Sequence, residues 1–375
     1  MDHSHIPPRQ FDGVSRRHFM GYGSLFLGSS LLAACSKVNQ QPSSSTSSST
    51  GANSTGANST GANLAGTNKL DKVTLSTEWV AQAEHGGFYQ AVAAGIYQDY
   101  GLDVTIKQGG PRVNNNLLLM SGAVDFIIGY AADAINSVIA KIPKVTVAAP
   151  FQKAPYVLIA HPNTGNDTLE KLKGKPILVS SAATVSYWPF LKAKYGFTDD
   201  QKRPYNFDPK PFLADKNLAQ QGYLTSEPFE IERLGSFQPV VILLADNDYN
   251  PYTNTIETRT QLVETNPDLV QRFVDASIKG WYSYLENPAP ANQLIKKDNP
   301  TMTDEQIAYS VEKLKEYGII LSGDAEKMGI GAMTDGNWQE FFNTTVEVGV
   351  FQSDINYKDA YTLQFVNKGI EYYKS

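Results

Sequence analysis

The chain of 375 residues contains one cysteine, Cys35. A single thiol excludes an internal disulfide framework and a cysteine-based metal cluster, and it leaves the chain beyond residue 35 without a thiolate nucleophile. Histidine is scarce as well, at five, so a metal site in the body of the chain would rest on carboxylates, and none is expected. Long apolar runs are missing. The stretch between Arg17 and Cys35 is interrupted by Gly21, Gly23, Ser24, Gly28, Ser29 and Ser30, whereas a membrane-spanning helix needs roughly 20 continuous apolar residues. Basic charge is not in excess either: 32 Lys and Arg stand against 38 Asp and Glu, for a formal net charge of -6. No basic cluster points to nucleic acid. A G-x-S-x-G elbow, a phosphate-binding P-loop and a dinucleotide fingerprint are all absent, and Gly329-Ile-Gly331 lacks a third glycine at the required spacing.

What the N-terminus does contain is ordered. Residues 15–36 read SRRHFMGYGSLFLGSSLLAACS, a basic start, a short apolar stretch and small residues before the cysteine, which are the marks of an export signal. Arg16-Arg17 resembles a twin-arginine address, and Leu32-Ala33-Ala34-Cys35 resembles a lipobox. The expectation is a signal over 1–34 and a lipidated Cys35 that tethers the chain to a membrane on its extracytoplasmic side. The alternative is an ordinary cleaved signal with an incidental buried cysteine. Residues 36–68 are almost wholly Ser, Thr, Asn, Gly and Ala, with STGAN repeated three times over 49–63. Such a segment buries too little apolar surface to offset the entropy of ordering. It reads as a linker, and a coil of this kind has an end-to-end distance of about 30–35 Å.

The remaining chain alternates. KVTLSTEW reads as a strand, GGFYQAVAAGIYQDYG as a helix, LDVTIKQ as a strand, RVNNNLLLMSG as a helix, then VDFIIG, ADAINSVIAK and VTVAAP. A second set of the same rhythm runs from YVLIAH through TVSYWPFLKAKYG, NFD and GYLTS to PVVILLAD. Strands separated by helices imply βαβ units, and the whole reads as α/β with two lobes. The expected parts are 69–151 as the first part of lobe 1, 152–246 as lobe 2, and 247–375 as a return to lobe 1 with C-terminal helices. Asn266-Pro267 predicts a helix start, and Thr303-Asp304-Glu305-Gln306 predicts another.

TEWVAQAEHGGFYQAVAAGIYQDYGLDVTIKQGG, SGAVDFIIGYAADAI, LKGKPILVS, GYLTSEPFEIE and NPDLVQRFVDASIKGW together resemble the SsuA/THI5-like (NMT1) group of periplasmic solute-binding proteins. The resemblance implies a type II periplasmic binding protein fold with a hinge and a ligand cleft between two lobes. It also implies binding of a small solute and its delivery to an ABC permease; a monomer without cofactor is expected, and the missing catalytic motifs leave no enzyme expected. The eukaryotic pyrimidine synthase of thiamine biosynthesis, a relative that acts on its own histidine, is a poorer match. The corresponding segment here, Tyr130-Ala-Ala-Asp133-Ala-Ile, has no histidine, and no cysteine cluster follows.

In open α/β sheets ligands sit beyond the carboxyl ends of strands. The residues at those places are Trp79, Glu84, His85 and Gly86, then Tyr130 and Asp133, then Ser181, Tyr187 and Trp188, then Ser226 and Glu227. Rings, hydroxyls and carboxylates recur, which suits a flat heteroaromatic ligand, a thiamine-precursor pyrimidine first. Plainer readings stand beside these. Trp79 reads equally as rim packing, Glu84, Asp133 and Glu227 as complements to helix starts, Gly86-Gly87 as a tight turn, and Tyr187-Trp188 as a helix face packed on its own sheet. A second ligand class is a sulfonate- or nitrate-type anion, for which Arg112 and Arg203 are the candidate cations. A third reading is a sensor module that binds the same solute but feeds a receptor.

Overall fold

A computed structural model describes residues 69–374 of the chain. The twin-arginine pair, Cys35 and the STGAN repeats lie outside the described residues. Among the described residues ten strands form two five-stranded mixed sheets. They are β1 (Asp71–Ser76), β2 (Leu102–Lys107), β3 (Phe126–Tyr130), β4 (Lys144–Ala148) and β5 (Tyr156–Ala160). The rest are β6 (Ile177–Val179), β7 (Lys202–Pro204), β8 (Ala219–Tyr223), β9 (Val240–Leu243) and β10 (Thr253–Arg259). The first sheet runs β2-β1-β3-β10-β4 and the second β7-β6-β8-β5-β9.

The two sheets share one device. β1 pairs parallel with β2 and β3, and β6 pairs parallel with β7 and β8. The strand that enters each sheet from the other lobe runs antiparallel: β5 against β8 and β9, β10 against β3 and β4. The chain passes between the sheets over 149–155 and returns over 244–252. Asn250 Oδ1 accepts the Ala154 N–H at 2.8 Å, which ties the two passages together.

Several helices follow from local chemistry. Asn266 Oδ1 accepts the Leu269 N–H at 3.2 Å and starts the 20-residue helix Pro267–Glu286. Thr303 caps Asp304–Glu316 in the same way, through Gln306 N–H at 3.1 Å. The first helix of lobe 1 is broken at Gly95, which takes φ +73°, so it divides into Gly86–Ala93 and Ile96–Asp99. The strand expected at NFD is absent; its place is taken by β7 just before it, and Phe207 instead turns the chain at φ +60°. The helix expected over TVSYWPFLKAKYG is likewise two, Ser181–Val185 and Trp188–Tyr195, separated at Ser186 with Pro189 in the first turn of the second.

Gly86 does not line the cleft, and packing accounts for it. A Cβ on Gly86 would fall within the ring of Tyr284, and one on Gly87 within the ring of Trp281. Both glycines exist so that Gly86–Ala93 can lie against Pro267–Glu286, whose Phe273, Ile278, Trp281 and Tyr284 are buried on one face. Trp188 is also a core residue. It is 1% exposed, its indole N–H donates to Asp199 Oδ1 at 3.1 Å, and it packs edge-on to Phe197. Ser181 is exposed at the start of its helix, outside the cleft, while its neighbour Ser180 lines it. Among the described residues no helix is long and apolar enough to cross a membrane.

Candidate functional site

A cleft of about 720 Å³ lies between the lobes. Lobe 1 supplies the loop after β1. Ser76 Oγ donates to Asn115 Oδ1 at 2.9 Å and Asn115 Nδ2 donates to the Thr77 carbonyl at 3.0 Å, which fixes where the strand ends. Beyond it Glu78, Trp79, Glu84 and His85 face the cleft. His85 Nε2 and Glu78 Oε1 are 3.1 Å apart. Burial alone would lower the His85 pKa, but the facing Glu78, with help from Glu84, raises it.

Glu84 reaches across to lobe 2. Thr225 donates its hydroxyl to Glu84 Oε1, and Asn254 Nδ2 donates to the Glu84 carbonyl at 2.8 Å. Burial pushes the Glu84 carboxyl up, partly offset by the Thr225 hydrogen bond. After β3 come Tyr130 and Asp133. Asp133 is held by Lys144 Nζ at 2.6 Å, and the same ammonium is 2.5 Å from Glu257 Oε2. Lys144 and Glu257 are buried, while the Asp133 side chain is 45% exposed. Burial would lower the Lys144 pKa, but the two carboxylates outweigh it and raise it.

Lobe 2 contributes rings and one further acid. Tyr156, at the start of β5, is a hub: its ring centroid lies 5.4 Å from Tyr187, 5.7 Å from Tyr223, 6.1 Å from Tyr130 and 6.2 Å from Tyr249. Phe207 meets Trp79 of lobe 1. Glu227 accepts the Tyr223 N–H at 2.7 Å. Burial pushes its carboxyl up to about 7, so near neutral pH Glu227 offers both an acid O–H and a carboxylate acceptor.

The cleft therefore gathers Trp79, Glu84, His85, Tyr130, Asp133, Tyr187, Ser226 and Glu227 from the sequence-predicted set. It leaves out Gly86, Ser181 and Trp188 for the reasons given above. It adds Glu78 and Tyr223, which stand at the ends of β1 and β8, and Asn136, Tyr156 and Phe207, which inspection of strand ends does not reach. Several polar atoms along its wall lack any protein partner although buried: Glu78 Oε2, Glu84 Oε2, His85 Nδ1, Asn116 Oδ1 and the Tyr187 hydroxyl. Buried polar groups normally find partners, and a concave site with converging free polar atoms among rings is suited to hold a polar-edged small molecule. Among the described residues Arg112 is the only Lys or Arg lining the cleft, and it is exposed. Arg203 lies elsewhere, donating to the Asp200 and Lys202 carbonyls. Among the described residues no group of three or more His, Cys, Asp or Glu could hold a metal ion.

Residues 82–291 match the family model described as NMT1/THI5 like. The riboflavin-binding protein RibY of Chloroflexus aurantiacus is 24% identical over 312 residues, which cover 80% of this chain and 87% of that protein. A Candida albicans gene product, described as exhibiting the generic periplasmic binding protein fold, superposes with a TM-score of 0.58 at 16% identity, over 80% of this chain and 97% of that one. The aliphatic sulphonate binding protein SsuA from Escherichia coli superposes with a TM-score of 0.57 at 13% identity, over 77% and 91%. At these identities the structural likeness establishes the fold: two α/β lobes of the periplasmic binding protein type.

Proposed function

The chain belongs to the NMT1/THI5-like family, and from that premise we propose that it is an extracytoplasmic solute-binding protein that captures a flat heteroaromatic solute for an ABC importer. The solute class is a flavin first and a thiamine-precursor pyrimidine second. Both carry a ring with a polar edge of the kind that protonated and ionised carboxyls read together.

The observation that carries this reading is the composition of the cleft wall. Trp79, Tyr130, Tyr156, Tyr187, Phe207 and Tyr223 surround the same space as Glu84 and Glu227. One stacked ring is worth about 1–3 kcal/mol by analogy with nucleobases, and a hydrogen bond to a charged group about 1.5–3 kcal/mol. The name of the Chloroflexus relative supports the flavin. An anion is disfavoured by charge: Glu78, Glu84, Asp133 and Glu227 line the cleft against the exposed Arg112, and Lys144 is already engaged by two carboxylates. A carrier is favoured over an enzyme because closing two lobes on a solute needs only the hinge and the wall described, and no nucleophile or metal is required of them. The lipid anchor at Cys35 is part of the same proposal and places the cleft outside the cytoplasmic membrane.

The test is a thermal-shift panel of riboflavin, the aminopyrimidine precursor of thiamine, an alkanesulfonate and nitrate. A ligand with Kd near 1 μM present at 100 μM adds about 2.7 kcal/mol of stability. A raised Tm with riboflavin or the aminopyrimidine is expected, and a rise with the sulfonate or nitrate alone would replace the heteroaromatic reading by the anion one.

A further inference from the structure

The cleft does not end at its rings. Ala132 and Asn136, one turn apart on the helix Ala131–Ile139, and Val185 and Ser186, at the end of the short lobe-2 helix, line both the cleft and a second cavity of about 170 Å³ beside it. The second cavity is walled by Tyr249 of the return passage and by Phe341 and Phe351 of the C-terminal part. It opens to solvent past Ile139, which is 52% exposed. No charged side chain lines it. At its neck Asn136 carries a side-chain amide with no hydrogen-bond partner among the described residues.

We propose that this annex is a subsite for an uncharged substituent of the same solute, so that the ring lies in the aromatic chamber and a short chain passes Asn136 into the space between the lobes. The inference rests on the heteroaromatic reading of the chamber and extends it to the shape of the ligand. Size sets the chain length. A protein cavity of about 150 Å³ accepts benzene, so the annex takes about six heavy atoms of a substituent, and the remainder of a longer chain stays at the neck beside Asn136 and Ser186. Its chemistry follows from the walls. The free amide of Asn136 and the Ser186 hydroxyl offer hydrogen bonds near the ring, while Tyr249, Phe341 and Phe351 offer apolar contact farther in, and a charged group there would be desolvated without a counterion. Position adds a consequence for closure. The annex takes walls from both lobes and from the passage between them, so a chain in it is gripped only when the lobes are together, and it biases the hinge toward the closed form.

The experiment compares lumichrome, a tricyclic flavin ring without a chain at the ring nitrogen, with riboflavin, which carries a five-carbon hydroxylated chain there. Each is titrated into the purified full chain by fluorescence, and into Ile139→Trp and Val350→Trp. Both replaced residues line the annex and not the chamber, and neither is buried, so the variants fill the annex from its rim. Wild type is expected to hold riboflavin at least tenfold more tightly than lumichrome. Each variant is expected to erase most of that ratio while changing lumichrome affinity less than twofold. Equal binding of the two probes by wild type, or a ratio that survives in both variants, overturns the subsite and leaves the ring chamber standing. Binding of neither probe overturns the flavin reading of the chamber itself, and the subsite goes with it.

Discussion

The rings of Trp79 and Phe207 meet across the cleft, one from each lobe, with centroids 4.4 Å apart and planes inclined at 51°. Phe207 holds its place at φ +60°, a left-handed conformation that bulky side chains rarely adopt. A flat solute entering between the lobes exchanges this ring contact for stacking on one or both faces. Trp79→Ala and Phe207→Ala are each expected to weaken riboflavin binding by about 1–3 kcal/mol, read by fluorescence titration. Unchanged affinity in both variants would remove the two rings from the binding surface.

The backbone at Phe207 yields a separate expectation, concerning stability. Alanine keeps the left-handed penalty of about 1–2 kcal/mol, and glycine does not. Phe207→Gly is therefore expected to be more stable than Phe207→Ala by about 1 kcal/mol in urea unfolding, although both lack the ring. The reverse order would mean that the turn is not strained.

Glu227 sets a pH dependence. Its folded pKa is raised from 4.5 to about 7 by burial, so the folded chain binds this proton more readily than the unfolded chain does. The associated stability is fully present below about 4.5 and is lost as pH rises through about 7. Unfolding midpoints in urea measured between pH 5 and 8 are expected to fall with pH, and Glu227→Gln is expected to flatten part of that slope. Glu84 and Glu257, both raised chiefly by burial, and His85, raised by the facing Glu78, keep the rest. A Gln variant whose slope parallels wild type would contradict the assignment.

Among the described residues Lys144 is the only cation that pairs with Glu257, which is fully buried. Lys144→Met leaves that carboxyl without its partner, and loss of one member of a buried pair costs about 3–5 kcal/mol. Pairing Lys144→Met with Glu257→Gln is expected to restore much of the loss. Equilibrium unfolding decides it: a double variant no more stable than the single one would show that the charge is not what matters.

Gly87 is expected to tolerate no side chain. Trp281, fully buried and in edge contact with Phe88 and Phe151, occupies the space a methyl would need. Gly87→Ala is expected to cost about 1–3 kcal/mol, seen as a lower Tm without any change in the ligand panel's order.

The alternation of strands and helices made two α/β lobes legible, because apolar periodicity is a local property. Much of the candidate cleft was legible for a related reason: residues at or just beyond the ends of parallel strands, such as Trp79, Tyr130 and Glu227, lie at one edge of their sheet. Tyr156 was not. It opens β5 rather than following a strand, and it comes to the cleft only because β5 runs antiparallel, which sets Tyr156 opposite Tyr223 at the far end of β8. Thr253 at the start of β10 is placed opposite Tyr130 by the same inversion. Strand direction is a long-range outcome that no local pattern carries. Gly86 misled for a comparable reason, since the ring that forbids it a side chain, Tyr284, arrives from a distant helix. Phe207 was hidden by an expected strand where the chain instead makes a left-handed turn.

The double passage between the sheets also fixes an order of assembly. In the first sheet β10 sits between β3 and β4, so those two strands have no bridge between them until all of β5 to β9 has been synthesised. The second sheet, by contrast, is built from one uninterrupted stretch of chain and can complete as soon as it emerges. Lobe 2 is thus poised to fold first, while lobe 1 waits with two open strand edges, the kind of surface that recruits stray strands. The last strand to arrive is the one that closes that gap, and those two edges stay open until residues 253–259 are in place.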